Sequence, residues 1–253
     1  MKFQHIFKET IFYAWFEAMH TRIDIVLCNL SETGSIILTE KLQNEIDRIE
    51  NLSNCFNPKS EISLINCHAE HGPFKISNEL YSIIEVCICH NEKTAGAFDI
   101  TVNSKNNHRG GIHDIVLHSE EKTIFFKHKN VQIDLCGYIK GYALDKIKNV
   151  LLENNCTDAL VSMGNSSILA LGNHPNGKGW KVKRPEKTDE SIVLYDECLT
   201  SSGNTAEHIH IINPQIGNRI KDIKTVSVVT KSGTEGEVNS LTHFIESTQD
   251  IQK

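Results

Sequence analysis

One stretch constrains the fold more than any other: Val131 to Asp145, reading V-Q-I-D-L-C-G-Y-I-K-G-Y-A-L-D. Val131, Ile133 and Leu135 alternate as in a short buried strand, Gly137 marks a tight turn, and a helix opens near Lys140–Gly141. Ile139, Ala143, Ile147, Val150 and Leu151 then recur at three- and four-residue spacing, as one helical face requires. A strand running through glycines into a helix leaves unpaired N–H groups and partial positive charge at the helix start, a place for an anion such as phosphate. Lys140 stands at that start. The stretch is neither the G-x-G-x-x-G dinucleotide fingerprint nor a Walker A loop. On its own it fits an ordinary strand–turn–helix corner as well as an anion site.

Length allows one large domain or two small ones: the chain has 253 residues. A net charge of −6 speaks against a general nucleic-acid binder, which needs a basic surface. No apolar run reaches the ~20 residues of a spanning helix. The N-terminus is interrupted by Gln4, His5, Lys8, Glu9 and Glu17 and makes a poor secretory signal. The eight cysteines fall singly, without C-x-x-C, and read as reduced core thiols. Together these features predict a cytoplasmic protein, with a periplasmic or membrane-anchored one as the alternative if a leader is removed. The thirteen histidines show no zinc spacing.

In chain order, residues 1–18 mix aromatics with charges and predict an arm or edge strand. Met19–Cys28 is a strand with Ile23, Ile25 and Leu27 on its buried face. Ser31–Gly34 reads as a turn, and Ser35–Leu52 as a helix striped by Leu42, Ile46 and Ile49. After the Asn57–Pro58 turn, Ser60 caps a short helix burying Ile62 and Ile65. Phe56, just before that turn, reads as core filling, with an exposed stacking surface as the alternative. Ser77 caps a helix to about Thr94, stopped by Gly96. Ala97–Val102 has the composition of a plain strand, against which stands Asp99 between apolar neighbours, a carboxylate that must be hydrogen-bonded or paired. Segment 103–111 is a polar loop, followed by a hairpin of Ile115–Leu117 and Thr123–Phe126. Beyond the central helix come strands around Gly164, at Trp180–Lys183 and in 192–218, a buried strand at Thr225–Thr230, a helix from about Glu235 to Glu246, and a frayed tail, 247–253. Mixed strands and helices without repeats give an α+β class rich in antiparallel sheet, taken as a single domain over 1–253.

Five segments in one order carry more than any one alone. They are M-H-T (Met19–Thr21), F-N-P-K-S-E-I-S-L-I-N (Phe56–Asn66), T-A-G-A-F-D-I-T-V (Thr94–Val102), I-D-L-C-G-Y-I-K-G-Y-A-L-D (Ile133–Asp145), and S-S-G-N (Ser201–Asn204) with H-I-I-N-P-Q-I-G (His210–Gly217). This set resembles the FAD:protein FMN transferase family, the ApbE-like proteins, over nearly the whole chain. The resemblance implies a T-fold-like α+β architecture. It implies splitting of FAD and transfer of FMN to a Ser or Thr of an acceptor protein, with AMP leaving and Mg²⁺ at the pyrophosphate. It places Met19, Phe56, Ala97, Phe98, Asp99, Asp134, Lys140 and Ile212 at the FAD, Gly137 and Glu237 at the metal, and His210 with Asp99 in proton transfer.

Several positions depart from the family pattern. E-V-N-S-L (Glu237–Leu241) stands where the family has D-A-x-x-T, so Glu replaces Asp and Leu241 replaces an oxygen-bearing Thr. N-P-Q-I-G (Asn213–Gly217) has lost the Asp of D-P-x-T-G, M-G-T has become M-H-T, and S-G-D-Y has become S-G-N-T (Ser202–Thr205). Fewer carboxylates imply weaker Mg²⁺ binding. Three family readings stand: an active transferase, an FAD hydrolase without acceptor, and a flavin binder without catalysis. Outside the family, an α+β interaction protein is the alternative.

Overall fold

The computed structural model describes residues 3–104, 111–164 and 166–249. Its elements begin with β1 (Gln4–Lys8), β2 (Ile11–Ala18), β3 (Thr21–Cys28), α1 (Glu32–Ser53), α2 (Glu61–His68), β4 (Phe74–Lys75), α3 (Asn78–Lys93), β5 (Ile115–His118) and β6 (Thr123–Phe126). They continue with α4 (Ile139–Glu153), β7 (Ala159–Met163), β8 (Ser167–Leu171), β9 (Trp180–Arg184), β10 (Lys187–Leu194), β11 (Glu197–Gly203), β12 (Ile212–Asn213), β13 (Asn218–Arg219), β14 (Thr225–Thr230) and α5 (Gly233–Gln249). The class is α+β, with antiparallel sheets throughout. The chain forms two compact units, each assembled from separate stretches.

The first unit takes the chain up to Glu50, with Tyr138–Gly203 and Lys224–Ser240. Its centre is a seven-stranded sheet in the order β1-β2-β3-β7-β8-β11-β14. The N-terminal stretch is therefore a hairpin rather than an arm: β1 forms the edge, and β2 is paired on both sides. Phe12, Ala14, Phe16 and Ala18 alternate inward along β2, a period that the interspersed charges hid. β14 is the opposite edge and is half-buried rather than buried. Two residues, Met19 and His20, join β2 to β3, both with positive φ (49° and 56°), the geometry of a type I′ hairpin turn. Ser31 belongs to the start of α1, not to a separate turn; its Oγ accepts the Gly34 N–H at 3.1 Å. Leu38, Leu42, Ile46 and Ile49 form the buried stripe of α1.

Helix α4 lies against β7 and β8. The first turn of α5 crosses it where Gly141 meets Gly233. A Cβ on Gly141 would sit 2.3 Å from the Gly233 carbonyl oxygen, and one on Gly233 would sit 2.5 Å from that of Gly141. Asp145 of α4 caps α5, accepting from the N–H groups of Gly233 (2.7 Å) and Thr234 (3.1 Å) and the hydroxyl of Ser232 (2.8 Å). This cap starts α5 two residues before the expected Glu235. Its far end runs past Glu246 to Gln249. The rest of the expected frayed tail lies outside the described residues.

The second unit comprises Asn51–Gly137, Asn204–Ile223 and the chain from Leu241. It holds α2, α3, the small sheet β4-β6-β5 and the β12–β13 ribbon. Ser60 and Ser77 cap α2 and α3 as expected, each accepting an N–H at 3.2 Å. Two expected strands are absent. Residues 97–102 form turns, because Asp99 accepts from both the N–H and the hydroxyl of Thr101, each at 2.6 Å. Residues 131–135 bury Val131, Ile133 and Leu135 in alternation but join no ladder. Their backbone is satisfied instead by the Asn66 amide, which bonds both the N–H (2.8 Å) and the carbonyl (2.9 Å) of Ile133, and by Ile100, whose carbonyl takes the Asp134 N–H at 2.7 Å. Most of the expected 103–111 loop lies outside the described residues.

All eight cysteines are free: Cys28, Cys87, Cys156 and Cys198 are buried, whereas Cys67, Cys89 and Cys136 are exposed, so only part of the set is core. Among the described residues no helix is long and apolar enough to cross a membrane.

Candidate functional site

In the second unit, turns rather than regular elements carry the candidate residues. Asn54 organises the first of them, its side-chain oxygen accepting the Phe56 N–H at 2.9 Å and its carbonyl accepting that of Asn57 at 3.1 Å. This local bonding turns Phe56 outward. Its ring is 74% exposed, so the expectation of a core residue is overturned. Phe56 lines a cavity of about 540 Å³ together with Cys55, Asn66, Asn103, Ile133 and Asp134. Asp134 is fixed on that wall: one oxygen accepts the Cys136 N–H at 2.8 Å, the other the Asn103 amide at 2.7 Å. An exposed aromatic face beside a held carboxylate suits a planar, hydrogen-bonding ring.

The A-F-D turn contributes differently. Ala97 and Phe98 are 4% and 2% exposed, so their side chains fill the core and offer a ligand only their backbone. The Phe98 carbonyl accepts from Asn91 at 2.7 Å. Asp99 is half-buried and committed through one oxygen to Thr101; a Cβ on Gly111 would come within 3.2 Å of its other oxygen, so the glycine keeps space there. Gly137 follows the Asp134 turn, and a Cβ on it would lie 3.6 Å from a Leu241 methyl, which puts an apolar group where the family pattern has a hydroxyl.

His210 is exposed, on a loop that a buried residue arranges. The Asn204 side-chain oxygen accepts the N–H groups of His210 (3.1 Å) and Ile211 (3.2 Å), and its amide donates to the carbonyls of Ile220 (2.9 Å) and Asp222 (3.3 Å). Ile212, half-buried, opens the β12–β13 ribbon. The sequence reading gave Asn204 no role; its only signal was an amide in S-G-N-T where the family has a carboxylate.

In the first unit, Lys140 and Glu237 come together through two serines. Lys140 donates to the Ser166 hydroxyl, Ser166 and Ser167 lie 3.4 Å apart, and Ser167 donates to Glu237. Glu237 is 5% exposed. Burial pushes its carboxyl above the usual carboxylate range, while the Lys140 ammonium and the Ser167 hydroxyl pull the other way. Met19 stands apart at the β2–β3 turn, its N–H held by Glu50 at 2.8 Å. Ser166, Ser167 and the capping Asp145 were also missed. For Asp145 the signal was present, since S-G-T-E (Ser232–Glu235) has the spacing of a helix start.

Cys55 and Asp134, which line the cavity, form a side-chain trio with Cys136: each brings one ligating atom within 4.8 Å of the others.

Against known proteins, the model described as the ApbE family matches residues 19–110 and 104–253. A relative named FAD:protein FMN transferase from Chlamydia trachomatis is 28% identical over 230 residues, covering 76% of this chain and 72% of its own. The crystal structure of the ApbE protein of Thermotoga maritima superposes with a TM-score of 0.82 at 21% identity, covering 96% of this chain and 89% of its own. The flavin transferase ApbE of Vibrio cholerae gives 0.78 at 19% identity, covering 96% and 87%. The fold is that of these proteins.

Proposed function

The chain belongs to the ApbE family, and on that premise we propose that it transfers FMN from FAD to a Ser or Thr hydroxyl of an acceptor protein, releasing AMP, with Mg²⁺ as the assisting cation. Relatives from two Chlamydia species bear the name FAD:protein FMN transferase, which supports the reading. The observation that carries it is Phe56, 74% exposed beside Asp134 on an open cavity. A large aromatic ring 74% exposed on a cavity wall offers a face for stacking by a planar ligand.

The acceptor oxygen attacks the phosphorus of the FMN half; one O–P bond forms, the bond to the AMP phosphate oxygen breaks, and its electron pair leaves with AMP. His210 takes the hydroxyl proton, with Asp99 as the second proton-holding group in this reading. Asn204 positions the His210 backbone. Phe56 stacks on a ring of FAD and Asp134 accepts a hydrogen bond from it; Met19, Ile212 and the backbone at Ala97 and Phe98 complete the cofactor contacts, and Lys140 supplies fixed positive charge. Phosphoryl transfer depends mainly on such positioning and neutralisation.

The donors present suit a hard cation. Glu237 is a buried carboxylate that burial makes reluctant to ionise, so a divalent ion beside it relieves the strain, and Mg²⁺ ordinarily takes one or two carboxylates plus substrate phosphates. Glu237 and the Gly137 carbonyl are the groups assigned to it; when bound, it neutralises pyrophosphate charge. Leu241 adds no oxygen, which favours weak binding.

The test is incubation with FAD, Mg²⁺ and a Ser- or Thr-bearing acceptor, read by mass spectrometry. The expected result is an acceptor heavier by FMN, together with free AMP. FMN and AMP without adduct would redefine the protein as an FAD hydrolase, and intact FAD would end the proposal.

A further inference from the structure

We propose that Cys55, Asp134 and Cys136 form a binding site for a thiophilic divalent cation of the Zn²⁺ class, using donors other than the Glu237 and Gly137 oxygens assigned to Mg²⁺ and engaging Asp134 in place of its flavin hydrogen bond. The three ligating atoms already lie within 4.8 Å of one another. In a tetrahedral zinc centre with metal–ligand bonds of about 2.0–2.3 Å, neighbouring ligand atoms are separated by roughly 3.5–3.8 Å. The set has to contract by about 1 Å to reach that spacing.

The backbone that carries the ligands is fixed. The turn around Cys55 is tied by Asn54, and the Ser63 hydroxyl donates to the Cys55 carbonyl at 3.1 Å. Cys136 is two residues from Asp134 and donates its N–H to that carboxylate at 2.8 Å, which holds both ligands on one turn. Asn103 donates to the second carboxylate oxygen at 2.7 Å, the outer-shell bond that orients ligating carboxylates. Two sulfur donors select for zinc-like ions over Mg²⁺. The trio lies at a cavity that Cys55 and Asp134 line, so the fourth position opens toward solvent, as in zinc sites that keep an exchangeable ligand. Binding exchanges two thiol protons, released to solvent, for the cation, with no change of oxidation state.

The experiment uses the full chain, reduced and then freed of reductant under argon, titrated with Co²⁺ alone. Without flavin in the assay, its outcome is independent of the transferase reading. The expected result is one equivalent of Co²⁺ with sulfur-to-cobalt charge-transfer absorption, displaced by Zn²⁺. Cys55→Ser and Cys136→Ser should each weaken binding by more than the roughly 10–100-fold lost with an outer-shell partner. Cys89→Ser, on the exposed face of α3, should bind as wild type. Asp134→Asn, which preserves the turn, should keep a folded protein with weakened binding. Absence of the absorption in folded wild type, its survival in both Cys55→Ser and Cys136→Ser, or a Cys55–Cys136 disulfide formed under argon would overturn the proposal.

Discussion

In the first unit, Lys140 and Glu237 project from helices that touch backbone to backbone at Gly141 and Gly233, and their charges are linked by Ser166 and Ser167. In the second, Phe56 and Asp134 stand on turns held by Asn54 and Asn103, with the ring left in water. One region is a largely buried polar cluster linked by hydrogen bonds, the other carries an exposed ring on a pinned backbone. The contrast separates two kinds of functional residue. Where a polar cluster is part of the packing, a substitution changes stability and chemistry together. Where a side chain is presented by a self-sufficient turn, binding can change while the fold stands.

The sharpest way to break this comparison is Gly141→Ala. Its Cβ would meet the Gly233 backbone at 2.3 Å and the Glu237 side chain at 2.7 Å, and the backbone contact cannot be relieved by a rotamer change, so a loss of about 3 kcal/mol or more is expected in denaturant unfolding. A loss below about 1 kcal/mol would show that the helices can part cheaply. Asp145→Ala removes the cap of α5 and should cost about 1–2 kcal/mol, measured the same way, with turnover falling in parallel.

Glu237→Gln addresses charge rather than packing. Because burial raises the folded-state value of this carboxyl, the stability it contributes is complete below its unfolded value and is lost as pH rises through the raised one. From mildly acidic to neutral pH, wild type should lose more thermal stability than the Gln variant, while the variant loses Mg²⁺-dependent turnover. Parallel melting curves across that range would place Glu237 outside the buried cluster. The smallest stability effect is expected for Phe56→Ala, within about 0.5 kcal/mol. FAD affinity should fall by the roughly 1–3 kcal/mol typical of a lost stacking partner, read by fluorescence titration.

Features encoded locally were legible before any coordinates. Ser60 and Ser77 announced their helices, and Ile62 and Ile65 a buried face, because a cap and a stripe are settled within a few residues. Ala97–Val102 misled because its apolar, β-branched run has strand character, while Asp99 and Thr101 bend it by a bond that overrides propensity. Val131–Leu135 showed the right burial and the wrong pairing: its partner is the side chain of Asn66, and no periodicity records a bond of that kind. Phe56 was misplaced because hydrophobicity does not say whether a ring points in or out; Asn54 decides it. The candidate site was legible mainly through a family resemblance. Among the residues it missed, Asp145 and Ser167 bond groups 70 to 89 residues away, while Asn204 ties down a loop within 18 residues of itself.

The Asp145 cap has a consequence for how the protein is made. Its acceptors and donors lie 87 to 89 residues apart in sequence. Loop closure over that span is slow compared with local helix formation. During synthesis, α4 and the strands up to β11 emerge well before Ser232 reaches Asp145, and Glu237 follows still later. Lys140 therefore waits for its acidic neighbour until the final helix is delivered, so a chain halted before Gly233 would hold the sequence of all seven sheet strands and lack Glu237.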